Sequence, residues 1–292
     1  MAMMDSLRPL LPKTRSQKCM FYKVSSTMSS SSLSMQSSSR SLMSSSRSLM
    51  SGMGWDEDDC LSKLDSFCTE DKLQVTSQLI LRYAIFHNFD YDDAKAAVEK
   101  CAFNKYLNLR MHGDLAEQFA SNLLFPLSNL TLKLNKSQVI YVRPSQYQPS
   151  PENEDLMIKS LCYVLNDCTR SEAECHNGVA MVINMNEWST ENFSSDVWKR
   201  FMSVLQGELV PTKVKMVVIV DAPKEFVAIW NVLKKSLQTK FSKKVRLIKE
   251  AKLGTYLMDG YQKYLPSDFC GTWRDANELC EDYVDQKAYN DQ

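Results

Sequence analysis

The sequence predicts an α/β fold with a mostly parallel sheet, preceded by a small N-terminal helical bundle. Four short β-type runs of mainly apolar residues alternate with stretches of helical periodicity, and the runs are Gln138–Val142, Val179–Ile183, Val214–Val220 and Val245–Ile248. Between residues 61 and 109, by contrast, the apolar residues recur only at helical spacing. Continuously apolar strands are typical of parallel sheets with helices on both faces, because each strand is then buried on both sides.

Proline and glycine residues separate these elements. Arg143-Pro144 stops the first strand, and the helix that follows buries a stripe formed by Leu156, Leu161, Val164 and Leu165. An amphipathic helix is predicted over Ser194–Gln206, and a further helix begins near Pro223. These helices supply the crossover connections that parallel strands require.

The bundle is predicted to begin near Trp55, where acidic residues suit the positive end of a helix dipole. Asp90 or Asp92 can cap a later helix, and Gly113 can end the helical region. The sequence therefore divides into a Ser-rich tail at 1–54, a helical subdomain at 55–113, and an α/β domain at 114–292 with a short C-terminal tail.

The tail is predicted to be disordered, because a Ser-rich segment buries too little apolar surface to offset its chain entropy. It repeats Ser-Ser-Ser-Arg-Ser-Leu-Met at Ser37–Met43 and Ser44–Met50. Three interpretations stay open: a linker with repeat slippage, a tail phosphorylated at the Ser residues that follow Arg40 and Arg47, and a transit peptide.

Charge and composition exclude several classes of function. Residues 1–54 carry a net charge of +6, so that residues 55–292 carry −6, whereas a nucleic-acid-binding surface requires a basic stripe. No apolar run approaches the roughly 20 residues that span a bilayer. Nine cysteines without a CxxC pair indicate reduced thiols and a cytoplasmic protein, with membrane contact that is only peripheral.

The order of four segments resembles the CRAL-TRIO lipid-binding family. The segments are Val214–Pro223, Phe226-x3-Trp230, Lys240–Ile248 and Leu265–Gly271, and upstream Leu81-Arg82 and Phe89-Asp90 also match. The chain departs from the family pattern at Asp221, where Asn is usual, at Cys270, where Gly is usual, and at Asn184, where Asp is common. The resemblance covers about residues 60–272, and it makes 114–292 a CRAL-TRIO lipid-binding domain.

The resemblance implies a lipid pocket closed by a mobile gate helix. The gate residues share one apolar face by their spacing, and they are Phe226, Trp230, Leu233, Leu237 and Phe241. The alternative is that this face only packs on the sheet. The pocket wall is expected from strand and helix residues, namely Met181, Ile183, Met216, Val218 and Phe201. Lys234 and Lys235 give the helix a basic side suited to anionic membranes.

The resemblance also implies a headgroup site. Lys244 matches a basic position that contacts inositol phosphate in several family members, Lys240 matches a second basic position, and Lys243 lies between them. Thr212 stands where an acidic partner is found, while Val179 and Met181 are apolar where choline-phosphate contacts map. The alternative is a solvated lysine cluster beside a strand.

No catalytic signature is present: the sequence lacks G-x-S-x-G, a P-loop and a strand followed by G-x-G-x-x-G. Cys168, Cys175 and His176 do not follow a zinc spacing. The sequence therefore predicts no catalytic residues, cofactor or metal. The predicted function is the binding of one hydrophobic lipid, a phosphoinositide or another apolar lipid, for transfer or presentation at membranes. The alternatives are a protein-interaction module without cargo, which would have a protein partner and a side-chain-filled interior, and an α/β enzyme.

Overall fold

The computed structural model describes residues 55–101, 104–111, 113–121, 123–272 and 274–290. The predictions for the tail at 1–54 lie outside these residues. Residues 55–101 form three helices with a core of their own, and the helices are α1 (Trp55–Glu70), α2 (Ser77–Phe86) and α3 (Tyr91–Cys101). The acidic first turn of α1 is present as predicted, and the Asp93 N–H donates to the Asp90 carboxylate at 3.0 Å, which makes Asp90 the cap of α3.

Residues beyond the bundle form one five-stranded sheet in the order β1-β2-β3-β4-β5. The strands are β1 (Leu124–Thr131), β2 (Gln138–Val142), β3 (Val179–Asn184), β4 (Val214–Val220) and β5 (Val245–Ile248). β1 pairs antiparallel with β2, and all other pairs are parallel. The predicted α/β class and mostly parallel sheet are confirmed.

The helices of this part connect the strands and cover the sheet. They are α4 (Asp114–Ala120), α5 (Pro151–Asp167), α6 (Glu172–Asn177), α7 (Ser195–Leu205), α8 (Lys224–Leu233), α9 (Thr239–Ser242) and α10 (Ala276–Asn290). Local sequence sets their starts: Ser150 caps α5 with Pro151 in its first turn, Ser171 and Glu174 form a capping box on α6, and Ser194 caps α7.

Gly178 sets the start of β3 against β4. Its φ is +65°, and a Cβ there would lie 2.1 Å from the Lys213 carbonyl oxygen. Only glycine combines this backbone angle with such a close approach. The sequence places Gly178 directly before an apolar strand, but it does not predict the contact with Lys213.

Three features differ from the expectation. Gly113 does not end a helical region but precedes α4. The C-terminal tail includes the 15-residue helix α10, whose Ala276, Cys280 and Tyr283 are buried at helical spacing against the domain core. β1 was not predicted, since Pro126 interrupts its sequence and its burial does not alternate regularly.

The continuous apolar face predicted from Phe226 to Phe241 is also interrupted. α8 ends at Leu233, Leu237 is extended, and Phe241 lies on the separate short helix α9. Two side chains replace helical backbone bonds there: the Ser236 hydroxyl donates to the Leu233 carbonyl at 2.7 Å, and the Gln238 N–H donates to the Gln206 side chain at 3.0 Å.

Candidate functional site

An apolar cavity lies beyond the carboxyl ends of β2 and β3, the edge at which open α/β sheets bind ligands. Strand residues Val142 and Ile183 form its floor. The loops after β2 and β3, together with helices α5, α7 and α8, supply the walls, with Tyr147, Met157, Trp188, Phe193, Trp198, Phe201 and Phe226. No Lys, Arg, Asp or Glu is among the described lining residues. The arrangement suits an uncharged, hydrophobic molecule.

Phe226 of α8 fills the centre of an aromatic cluster in this cavity. Its ring meets Trp188 at 5.5 Å and Trp198 at 5.4 Å between centroids, both edge to face. Trp198 in turn stacks on Phe201 at 6.0 Å. Such edge-to-face and stacked ring pairs add to the free energy gained from apolar burial. Phe226 therefore both anchors α8 to the domain and closes the cavity.

The cavity is small in this conformation. The concavity measures about 510 Å³ if the solvent in its open mouth is counted. Only about 50 Å³ of free space can hold a water-sized molecule. An engineered apolar cavity that binds benzene measures about 150 Å³. A lipid therefore requires the displacement of α8 or of the aromatic cluster.

Helix α8 is held by few contacts. Phe226 and Trp230 are its buried residues, Ile229 and Leu233 are half-buried, and Val232 is 68 % exposed. No side chain caps its N-terminus at Pro223. A short helix with two anchoring side chains is the kind of element that opens at low free-energy cost.

Three lysines gather at the opposite, amino-terminal edge of the sheet. The Lys244 ammonium donates to the Val214 carbonyl at 2.8 Å, and the Lys213 ammonium donates to the Asn88 side chain at 2.8 Å. Burial lowers the pKa of Lys213, and repulsion by Lys215 and Lys244 lowers it further; burial and Lys215 lower the pKa of Lys244. Within the described chain, none of the three forms an ion pair with a carboxylate.

Thr212 lies at the start of this lysine edge. It is 2 % exposed, and its hydroxyl has no hydrogen-bond partner among the described residues. Lys240 and Lys243, in contrast, are exposed on and after α9. Half-buried cations that repel one another, beside a buried hydroxyl without a partner, form an arrangement that an anion would stabilise.

Comparison with known proteins gives the family of this fold. Residues 133–271 match the family model described as CRAL/TRIO domain. Residues 133–271 form a CRAL/TRIO domain. The crystal structure of Sfh5 superposes with a TM-score of 0.54 over 83 % of this chain and all of the Sfh5 chain, at 15 % identity, which shows that the fold is shared.

A curated relative is the mouse tyrosine-protein phosphatase non-receptor type 9. It is 23 % identical over 111 residues, which are 38 % of this chain. The match spans only 18 % of the relative's length. β1 precedes the CRAL/TRIO match and α10 follows it, yet both pack into the domain core.

The structure distributes the predicted wall residues of the CRAL/TRIO domain over both faces of the sheet. Ile183, Phe201 and Phe226 line the cavity. Met181 lies on the same face as Ile183, two residues deeper in β3. The strand register pairs Met216 with Ala180 and Val218 with Val182, so both lie on the opposite face. Continuously apolar strands carry no signal of which face meets the cavity.

The gate residues beyond Phe226 lie outside the cavity lining. Trp230 is buried beside it, while Leu233 and Leu237 are half-buried. Lys213 and Lys215 were not predicted as site residues, although both flank Val214, the first residue of β4. Tyr147 and Trp188 were not predicted either, since loop aromatics show no periodicity, and Trp198 was not predicted although it lies on α7 beside Val197.

The departures from the family pattern have structural roles. Asp221 has a φ of +52°, a conformation that Asn and Asp tolerate best, and its carboxylate pairs with Lys249 at 3.1 Å. Cys270 has a φ of +47°, which explains why glycine suits this position. Asn184 donates to the Tyr141 hydroxyl at 2.8 Å inside the core.

Other kinds of site were also sought. The described residues contain no group of three His, Cys, Asp or Glu side chains arranged to hold a metal ion. None of the described helices combines the length and apolar character needed to cross a bilayer. The seven cysteines with described side chains are free thiols, and six of them are buried.

Proposed function

We propose that this protein binds a single hydrophobic lipid in the cavity beneath α8 and transfers or presents it at membranes, without a chemical step. The observation that carries the proposal is an aromatic-lined concavity roofed by a helix with two buried anchors, Phe226 and Trp230. The presence of a CRAL/TRIO domain supports it.

The proposed mechanism is physical. Displacement of α8 withdraws Phe226 from the aromatic cluster and enlarges the free volume of about 50 Å³, which is too small for a lipid in the closed conformation. Opening exposes apolar side chains, which acyl chains of a membrane can cover. Exposed Lys234 and Lys235 follow α8 directly, and each lysine near an anionic surface contributes about 1 kcal/mol of attraction.

The lysine edge supports a phosphate-bearing lipid as one cargo. An anion beside Lys213, Lys215 and Lys244 would relieve the repulsion that lowers the pKa of Lys213 and Lys244, and the Thr212 hydroxyl could donate to a headgroup oxygen. Exposed Lys240 and Lys243 add positive charge near the same edge. This proposal makes a phosphoinositide a specific candidate.

The test uses the full chain, purified and analysed by native mass spectrometry with lipid extraction, before and after incubation with vesicles of phosphatidylcholine and phosphatidylinositol. We expect one lipid per protein. Trp230→Ala loosens the roof and should raise the rate of lipid exchange several-fold, whereas Val232→Ala on the exposed side of α8 should leave it unchanged. A folded protein that stays empty with both vesicle lipids would contradict the proposal.

The second candidate is a protein-interaction module on the same fold. The 50 Å³ of free volume and the Phe226 side chain that fills the cavity favour it, since a closed interior needs no cargo. In that case the protein remains empty in the same experiment, and Trp230→Ala changes its stability but produces no lipid exchange.

A further inference from the structure

Two residues that line the cavity carry hydrogen-bond donors without a partner among the described residues. Tyr147 and Trp198 both line it. The Tyr147 hydroxyl and the Trp198 indole N–H are shielded from solvent and have no partner among the described residues, and Tyr147 as a whole is only 6 % exposed. Buried polar groups in folded proteins are nearly always paired, so two such groups in one apolar cavity call for an explanation.

The other polar side chains of the cavity are already engaged. The Asn192 amide donates to the Ser145 carbonyl at 3.1 Å and to the Tyr147 carbonyl at 3.0 Å, and its oxygen accepts from the Ser189 N–H. The Ser194 hydroxyl donates to Glu154 at 3.0 Å. Among the described polar side chains of the lining, this leaves only the phenol and the indole available.

The two rings are held in place independently of these donors. The backbone of Tyr147 is fixed by its N–H bond to the Pro144 carbonyl at 3.0 Å and by Asn192. Trp198 is fixed by stacking on Phe201 and by its edge contact with Phe226. Rings positioned by packing, with their polar atoms unused, are characteristic of a preorganised binding site.

The chemistry of the donors limits the ligand. An indole N–H can only donate, and burial raises the pKa of Tyr147 to about 12, with Glu154 adding to the rise, so the phenol also keeps its proton. The matching ligand atom is an acceptor. An ionised headgroup is disfavoured, because the described lining has no charged side chain to pair with it.

We propose that Tyr147 and Trp198 recognise a neutral oxygen of the cargo, a hydroxyl, ether or carbonyl, at one end of an otherwise apolar molecule. This inference rests on the proposed lipid-binding function and chooses between its two cargoes: the cavity takes an oxygenated neutral lipid at the carboxyl edge of the sheet, and a phosphoinositide meets the opposite lysine edge only as a lipid of the membrane surface.

Three probes of equal length test the proposal: hexadecan-1-ol, methyl pentadecyl ether and heptadecane, each radiolabelled and offered to the full chain in phosphatidylcholine vesicles. The alcohol and the ether carry an acceptor, and the hydrocarbon does not. We expect the wild type to retain the two oxygenated probes about three- to tenfold more strongly than heptadecane. Tyr147→Phe and Trp198→Phe should each reduce that preference, while Tyr264→Phe, which removes a phenol outside the cavity lining, should not.

The thermal stability of the lipid-free protein gives a second readout. Because the Tyr147 hydroxyl has no partner among the residues that the structure describes, Tyr147→Phe should leave the Tm unchanged or raise it. A Tm that falls by several degrees would show that the hydroxyl has a structural partner, such as a buried water, and would overturn the inference.

The retention data separate the two proposals. Equal retention of all three probes by the wild type overturns the inference and leaves lipid binding intact. Retention of none of them, together with an empty protein after exposure to phospholipid vesicles, overturns both.

Discussion

The two edges of the parallel sheet differ in chemistry. At the carboxyl edge, the described cavity is apolar and aromatic, with Phe226 between two tryptophans. At the amino edge, Lys213, Lys215 and Lys244 lie half-buried and repel one another. In the parallel part of the sheet, all strands start at one edge and end at the other. The residues just before the strands therefore make one edge basic, and the residues just after the strands make the other edge apolar. Apolar binding and attraction of anions can therefore change independently.

Removal of Phe226 should have the largest effect and tests the carboxyl edge. Phe226→Ala should lower the free energy of unfolding by about 3–5 kcal/mol, because a buried aromatic ring leaves a cavity. Urea denaturation measures the change. Val232→Ala, on the same helix but 68 % exposed, should change stability by less than about 0.5 kcal/mol. Equal losses in both variants would show that α8 does not rest on its buried anchors.

Neutralisation of the amino edge should weaken membrane binding by a smaller amount. Lys213→Met and Lys244→Met should each reduce binding to vesicles that contain phosphatidylinositol by about 1 kcal/mol, an effect that salt screens. Sedimentation with the vesicles measures binding. Lys100→Met, which removes an exposed charge from α3, is the matched control. If the wild type bound the vesicles equally well at low and at high salt, this lysine edge would not be part of the membrane contact.

The pH dependence of stability separates the lysines from the rest of the protein. The folded-state pKa values of Lys213 and Lys244 lie below their unfolded values, so the unfolded chain binds more protons in the interval between them. The stability contributed by these groups therefore rises as pH increases through the lowered pKa toward about 10.4. Chemical denaturation of the wild type and of Lys213→Met/Lys244→Met across this interval should show the rise only in the wild type.

The coupling among the three lysines can be tested separately. Lys215→Met should raise the pKa of both Lys213 and Lys244 in NMR titration, because Lys215 lowers both values. Unchanged values would argue against this coupling.

A glycine at position 270 should have the smallest effect. Cys270 lies in the left-handed region with a φ of +47°, and Cys270→Gly relieves that strain at the expense of chain entropy. We expect a gain of about 0.5 kcal/mol in the free energy of unfolding, measured by urea denaturation. Cys280→Gly, inside helix α10, should instead destabilise the protein, and a loss at both positions would show that the Cys270 side chain matters more than its backbone.

The sequence predicted β2, β4 and β5 with their observed bounds, because these mainly apolar runs end at Arg143-Pro144, Asp221 and Lys249. It did not predict α10, whose sequence is rich in charges and buries only three positions, or the break after Leu233, which depends on Gln206 from a distant helix. The cavity lining was predicted in part. Helical spacing placed Phe201 and Phe226 on apolar helix faces, and the family resemblance assigned them to a pocket. Tyr147 and Trp188 come from loops whose approach only the tertiary fold creates.

β5 forms one of the two edges of the sheet, and its composition disfavours pairing with a strand of another chain. The strand has four residues, and the Arg246 side chain donates to the Val245 carbonyl at 3.0 Å, which occupies an acceptor that an incoming strand would use. A short, cationic edge strand is a poor template for pairing with another chain. The exposed lysines around it therefore have a second consequence, because their like charges repel the same edge of another copy of this protein.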